Sequence, residues 1–475
     1  MSLARKVFYN TAVQIVGKFF AIAVSVGLVM VLTRYLGTEG YGDYATILTY
    51  LGFAGIVVDM GFYSITVREI SKPKANIPKI VGNVLSLRTF LSILLFGGAI
   101  GLIFLLPYSM NIKLGVTIAS LAYLFISLRQ IGISVFQAKL RMENNVIVDL
   151  ATRIINFVLV FVLVWMGHGI LAVLGSLIIA NGLGFILTMI LARRFTKVSF
   201  TIDKKLWKSL FWQAVPMAIA LVLIKIYFQV DIIFLSFMKG SHDVGIYSAA
   251  YKVLEVLITV PAMFVASVLP SLSFHVVKKH FKRIKHLFQR SFDVLALMAF
   301  PVTVGGILLA KPIMKFVAGD QFEGSEKVLV WILIALSFIF LNTLMGNAML
   351  AYHKQHRLIW QGVLGVVVNV GLNLILIPRY SYLGAAAATL ITEGLVLILM
   401  TVMVGRELKL WPRLINPLKI LVATGVMGIV VYFLAGYNLV FPIVAGGVVY
   451  FALLYLFKVV DKQLIRTILL KPVKN

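Results

Sequence analysis

The chain has 475 residues, of which 61% are hydrophobic and 13% charged, with a mean hydropathy of +1.01. Soluble domains sit nearer half apolar and a quarter charged, so the composition excludes a soluble globular enzyme and fits a polytopic membrane protein. The net charge of +27 would suggest nucleic acid in a soluble chain, but the placement of the charges assigns them elsewhere, and the absence of cysteine excludes disulfides and thiol chemistry.

The opening stretch MSLARKVFYN is short and basic and runs straight into a long apolar segment, so no cleavable signal is expected. Fourteen apolar segments are predicted near 10–33, 41–62, 80–106, 113–137, 146–166, 170–192, 209–237, 244–273, 291–310, 328–351, 358–377, 383–404, 417–434 and 439–457. Each approaches or exceeds the ~20 residues that cross a ~30 Å hydrocarbon core. The tails and even-numbered links hold 31 of the 44 basic residues, and the odd-numbered links hold seven. By the positive-inside rule both termini are expected in the cytoplasm. The protein is then a multi-pass protein of the cell membrane, its basic loops meeting anionic lipid heads rather than nucleic acid.

Six cations remain inside segments: Lys18, Arg88, Arg129, Arg153, Lys225 and Lys252. An ionised side chain at the centre of a bilayer costs about 2.5–3.5 kcal/mol on the mildest scale, so each marks a cavity wall, a pair, or a long side chain near a helix end that snorkels to the lipid heads. Asn10, Gln14 and Lys18 share a face of the first segment, with Ser25 further on. The fourth carries a stripe of Ser127, Gln130, Ser134 and Gln137, bordered by Arg129. In the fifth, Arg153 has Asp149 one turn away, and a simple pair is the alternative to a cavity role. Asp59, near the end of the second, is expected to bond at the surface with Arg68.

In the seventh segment Lys225 and Gln229 lie one turn apart, with Asp231 beyond. The eighth carries Ser248, Lys252, Glu255 and Thr259 at i, i+4, i+7 and i+11, either a wetted wall or a structural ion pair. The stretch 275–290, HVVKKHFKRIKHLFQR, spaces Val277, Phe281, Ile284 and Phe288 as an interfacial amphipathic helix would. Asn369 and Asn373 are expected to bond across helices. Glu393 is a mid-segment acid with no base nearby on its own helix. With Glu255 and Asp231 it is a candidate for coupling to H⁺ or Na⁺. No metal-ligand spacing and no phosphate-binding loop is present, and no cofactor is expected.

One turn recurs. LTRYLGTEGYGDYA from Leu32 and LSFMKGSHDVGIYSA from Leu235 align at an offset of 203, matching Gly37 with Gly240, Gly42 with Gly245 and Tyr44 with Tyr247. Such glycines suit positive φ or a close backbone approach. An offset of six segments preserves orientation, which predicts an all-α fold of two pseudo-symmetric six-helix lobes, 1–200 and 201–405, plus a C-terminal helix pair and tail, 406–475.

In order along the chain, RYLGTEGYGDYA, DMGFYSITVREISK, VGIYSAAYKVLEVLITVP and NVGLNLILIPRYSYLGAAAATLITEG resemble the polysaccharide-exporter branch of the multidrug/oligosaccharidyl-lipid/polysaccharide flippase superfamily, typified by the Wzx O-antigen flippases. The resemblance implies a transporter rather than an enzyme. Its cargo would be a polyprenyl-linked oligosaccharide, moved by alternating access through a cavity between two lobes. Pathway glycosyltransferases and a polysaccharide polymerase are the implied partners. A lipid II flippase and a cation-coupled multidrug exporter of the same superfamily remain as alternatives. The excess of intramembrane bases over acids argues for an anionic cargo, with Lys18, Arg88, Arg129, Arg153, Lys225 and Lys252 meeting phosphate and Gln14 and Gln130 meeting sugar.

The topology is directly testable. A cysteine placed at Ser241 or Ser325, in odd-numbered links, is expected to react with an impermeant thiol reagent in intact cells; reaction only after the cytoplasm is opened would invert the assignment.

Overall fold

The computed structural model describes residues 3–459, with side chains from residue 13. The side chains of Arg5, Lys6 and Asn10, and Lys462 and the basic residues beyond it, lie outside the described residues. Fifteen helices occur among the described residues. In chain order they are α1 (Leu3–Asp59), α2 (Phe62–Ile70), α3 (Ile77–Leu105), α4 (Met110–Ala138), α5 (Met142–Trp165), α6 (Ile170–Ala192), α7 (Lys204–Met238) and α8 (Ser241–Leu257). There follow α9 (Thr259–Val277), α10 (Phe281–Leu308), α11 (Ala310–Val317), α12 (Ser325–Ala351), α13 (Gln355–Leu408), α14 (Ile415–Leu434) and α15 (Val440–Leu456). Helices satisfy their own backbone groups, which is what a chain this apolar needs in lipid.

Eleven helical stretches are long and apolar enough to cross a membrane, and α15 is a shorter apolar helix. The 57 residues of α1 would run ~85 Å unbroken at 1.5 Å per residue, far beyond one crossing. Helical geometry is interrupted within it at Gly37 (φ 67°, ψ −171°), and within α13 at Ser381 (φ 50°, ψ −130°). These breaks separate segments 10–33 from 41–62 and 358–377 from 383–404. The short helices α2 and α11 fall in stretches expected as links, where amphipathic runs too brief to cross still fold.

The chain forms two compact units, one up to Ser248 and the other from Ala249. In the first, α4 packs on α6, α1 and α3, and α5 lies between α1 and α6. Its apolar core is built from Ile47, Leu51, Val58, Phe96, Val116 and Leu174, and a second cluster gathers Phe62, Leu85, Ile131 and Leu210. In the second unit α12 is the central helix, against α13, α10 and α9, while α14 joins α10 to α15.

The stretch 275–290 is not one helix. Lys279 takes φ 54° and turns the chain between α9 and α10. Ile284 and Phe288 are buried within their unit, whereas Val277 and Phe281 are 71% and 62% exposed. The spacing that suggested one interfacial stripe is thus split by a left-handed residue that is not glycine. The link before α7 is strapped to α3: Asn83 Oδ1 accepts from Asp203 N, and Ser86 Oγ accepts from Thr201 N at 3.1 Å. Lys79 pairs with Asp203 at 2.8 Å. The Lys79 ammonium and the first amides of α7 hold the Asp203 carboxyl below its ordinary range. Ser325 is fully buried, so exposed Glu323 is the better labelling position in its link.

The repeated turns meet each other, and their glycines divide the work. Gly37 and Gly240 carry positive φ, 67° and 89°. Gly42 and Gly245 permit contact: a Cβ at Gly42 would stand 1.8 Å from the Ser241 carbonyl oxygen, and one at Gly245 would stand 2.0 Å from that of Thr38. Ser241 also donates its hydroxyl to Asp43. Neither backbone can yield to a methyl group without shifting. Gly42→Ala and Gly245→Ala are each expected to destabilise by about 1–3 kcal/mol, the cost of overpacking. Gly101→Ala, with nothing within 4 Å of its Cβ, is the control. Thermal unfolding in detergent checks this; equal melting of all three would remove the contact from the fold's essentials.

Candidate functional site

Charged and polar side chains inside the helices gather into small groups. The largest centres on Asp149 of α5. Arg153, one turn along, donates from Nε to Asp149 Oδ2 at 2.8 Å and from Nη1 to Ser25 Oγ of α1 at 2.7 Å. Arg129 of α4 approaches the other carboxylate oxygen at 3.4 Å and donates to Thr152 Oγ1 at 3.2 Å. One carboxylate serves two guanidiniums, so the group keeps one net positive charge. Arg153 is 43% exposed and Arg129 13%. Gly184 of α6 makes room, since a Cβ there would lie 2.4 Å from Thr152 Oγ1.

Arg88 stands apart in character. It is 1% exposed and donates from Nη2 to Asp59 Oδ1 at 2.7 Å, tying α3 to the end of α1. Its Nε and Nη1 are buried without an acceptor among the described residues. Asp59 therefore does not pair with Arg68, which meets Glu69 and Gln213 instead. Reach explains the exchange: Arg88 faces the α1 terminus from the neighbouring helix. Lys18 and Gln14 are exposed on α1, and Gln130 is half-buried on α4.

On α7, Lys225 donates to Gln229, and buried Asp231 accepts from the Tyr247 hydroxyl at 2.8 Å. On α8, Lys252 and Glu255 form a 2.6 Å ion pair, each more than a third exposed. The expected stripe around them is shorter than its spacing implied. Ser248 is buried, and Thr259 opens α9 with its hydroxyl on the Val256 carbonyl. In the second unit Glu393 is 4% exposed and accepts from Asn342 Nδ2 of α12 at 3.3 Å. Asn373 donates to Asn369 Oδ1 within α13 at 3.0 Å.

The sequence reading missed three partners: the sharing of Asp149 by two arginines, Tyr247 as donor to Asp231, and Asn342 beside Glu393. Asn342 had a signal, being polar in the otherwise apolar run FIFLN. The other two depend on helix neighbours that periodicity does not name.

Arg88 and Asp59 generate a stability prediction. Removing one partner leaves a buried charge uncompensated and costs about 3–5 kcal/mol. Asp59→Leu alone is expected to lose membrane abundance, while Asp59→Leu with Arg88→Leu regains most of it. Immunoblots of membrane fractions decide; a double variant no better than the single one would refute the pairing.

Comparison with known proteins follows the same lines. The profile of the family described as "Polysaccharide biosynthesis protein" matches residues 3–275, and that of MatE matches residues 216–375. The probable flippase AglR of Haloferax volcanii is 26% identical over 45% of this chain and 45% of its own length, so the aligned part spans under half of that relative. The probable low-salt glycan biosynthesis flippase Agl15 of the same organism is 23% identical over 75% of this chain and 74% of its own. A putative O-antigen transporter of Shigella flexneri is 24% identical over 75% of this chain and 87% of its own. Among solved structures, the lipid II flippase MurJ in an inward closed conformation has the same fold. Its TM-score is 0.81, at 18% identity, over 95% of this chain and 99% of that one. With more than half of its length matched by the family profile, the chain belongs to the polysaccharide biosynthesis protein family.

Proposed function

We propose that this protein is a flippase that moves a polyprenyl-(pyro)phosphate-linked oligosaccharide from the cytoplasmic to the outer leaflet. It is a transporter and not an enzyme, as its relatives' names indicate for them. The observation that carries the reading is the Arg129–Asp149–Arg153 group. A simple structural pair would be neutral, whereas this group leaves a net cation inside the membrane with Arg153 partly exposed. A guanidinium with an open face offers a phosphate a forked pair of donors. Lys18, Gln14 and Gln130 belong to the same proposed path. Arg88 belongs with them by charge, but its pairing with Asp59 gives it a structural part in this conformation.

Fourteen crossings, both termini in the cytoplasm of the cell membrane, and alternation between two six-helix lobes complete the proposal. The eleven long stretches, the breaks at Gly37 and Ser381 and the apolar α15 support that count. Coupling to H⁺ or Na⁺ is assigned to Glu393, with Asp231 and Glu255 as further candidates. Glu393 is a buried carboxyl that accepts from the Asn342 amide, which supports a place for it in binding the coupling ion. Pathway glycosyltransferases and a polymerase would supply and consume the cargo. The likeness to MurJ favours lipid II as the second reading, and the cargo assay separates the two.

Transport of a labelled polyprenyl-pyrophosphate oligosaccharide in proteoliposomes tests the site. Arg153→Gln is expected to lower the rate about tenfold or more, the worth of a charge-assisted hydrogen bond, and Arg153→Lys to recover part of it. The Lys252–Glu255 pair gives a second test. If it is only structural, Lys252→Met with Glu255→Gln restores both abundance and transport. We expect normal abundance without transport, because both groups are partly exposed where a sealed pair would not be. Full transport by the double variant would make the pair structural.

A further inference from the structure

The first unit carries an open apolar cavity of about 530 Å³ between α1, α3 and α7. Phe53, Val57, Leu94, Leu102 and Ile233 line it, and Lys225 is the single charged residue in its wall. Tyr50, the wall's one phenol, turns its hydroxyl onto the Ala99 carbonyl at 2.9 Å, which keeps the surface apolar. Gly98 forms part of the wall, and a Cβ there would meet nothing within 4 Å. Lys225 Nζ is held 5.7 Å from the Phe53 ring centroid, and a Cβ at Gly52 would lie 2.8 Å from it.

The depth of Lys225 selects the occupant. It lies well inside the 35-residue α7, 13 residues before its Met238 end, or ~20 Å at 1.5 Å per residue. Ordinary phospholipids keep their phosphates at the interface, roughly 15 Å from the midplane of a ~30 Å core. A cation at this depth meets a lipid phosphate only when that head group has left the interface. Small wall residues, Gly98, Ala99 and Ala54, leave lateral room for a methyl-branched chain. We propose that the groove holds the hydrocarbon chain of a polyisoprenyl phosphate, with Lys225 taking the phosphate as the head group crosses. This assignment rests on the flippase reading and adds to it the place where the carrier lipid is held.

The test uses the full chain in phosphatidylcholine nanodiscs and three probes: a sugar-free polyisoprenyl monophosphate, the matching polyisoprenol, and phosphatidylglycerol. Retention is read by native mass spectrometry. The monophosphate is expected to be held about tenfold more strongly than either competitor, as a charge-assisted contact allows. Lys225→Gln should reduce it to the level of the alcohol, and Lys225→Arg should not. Gly98→Phe should weaken monophosphate and alcohol together by filling the groove, and Gly98→Leu serves if the larger residue prevents folding. Equal retention of phosphatidylglycerol, meaning an ordinary bilayer lipid only, would overturn the proposal. So would unchanged retention by folded Lys225→Gln and Gly98 variants. A wild type that flips oligosaccharide-lipid yet retains no monophosphate overturns the groove alone. One that retains it but flips nothing supports the groove and overturns the flippase reading.

Discussion

A charge held in hydrocarbon must find a counter-charge, a polar partner or water. Much of this molecule follows from that requirement. Arg88 meets it with Asp59 across two helices, and Lys252 meets it with Glu255 within one. Arg129 and Arg153 meet it only in part, because they divide a single carboxylate. A sealed and neutralised pair such as Arg88–Asp59 marks architecture, and incomplete neutralisation marks a place where an anion is welcome. The same cation type therefore carries different meanings at positions 88 and 153, and only the neighbours tell them apart.

Membrane passage itself was legible because it depends on composition over ~20 residues, which a sequence displays directly. The runs later seen as α3 to α7 and α12 stand out for that reason. The repeated turn was legible because glycine is needed at a few backbone positions and at few others. Gly37 and Gly240 answer to φ, and Gly42 and Gly245 answer to contact. Where a break uses an ordinary residue, the signal disappears. Ser381 and Lys279 both take positive φ, and the second divided what read as a single amphipathic helix.

The candidate site was legible as a set of residues and illegible as a set of pairs. Six cations inside apolar segments can be counted from the sequence, and Asp149 one turn before Arg153 is a local fact. That Arg129 shares Asp149 is a fact of packing between α4 and α5, made close by Gly184 and Thr152. That Asp59 prefers Arg88 to Arg68 is of the same kind. Helical periodicity gives the face of one helix; the partner face belongs to the tertiary structure. Under the proposed function, such a net cation serves lipids that carry phosphate and sugar.

The central claim is that the cargo is recognised by its phosphate. Purified wild-type protein in proteoliposomes, given a fluorescent polyprenyl-pyrophosphate oligosaccharide beside the same oligosaccharide on uncharged polyprenol, tests this most directly. Transfer of label between leaflets is followed by quenching from outside. The account predicts rapid transfer of the pyrophosphate-linked form and none of the uncharged form. Equal transfer of both, or transfer of neither, would contradict it.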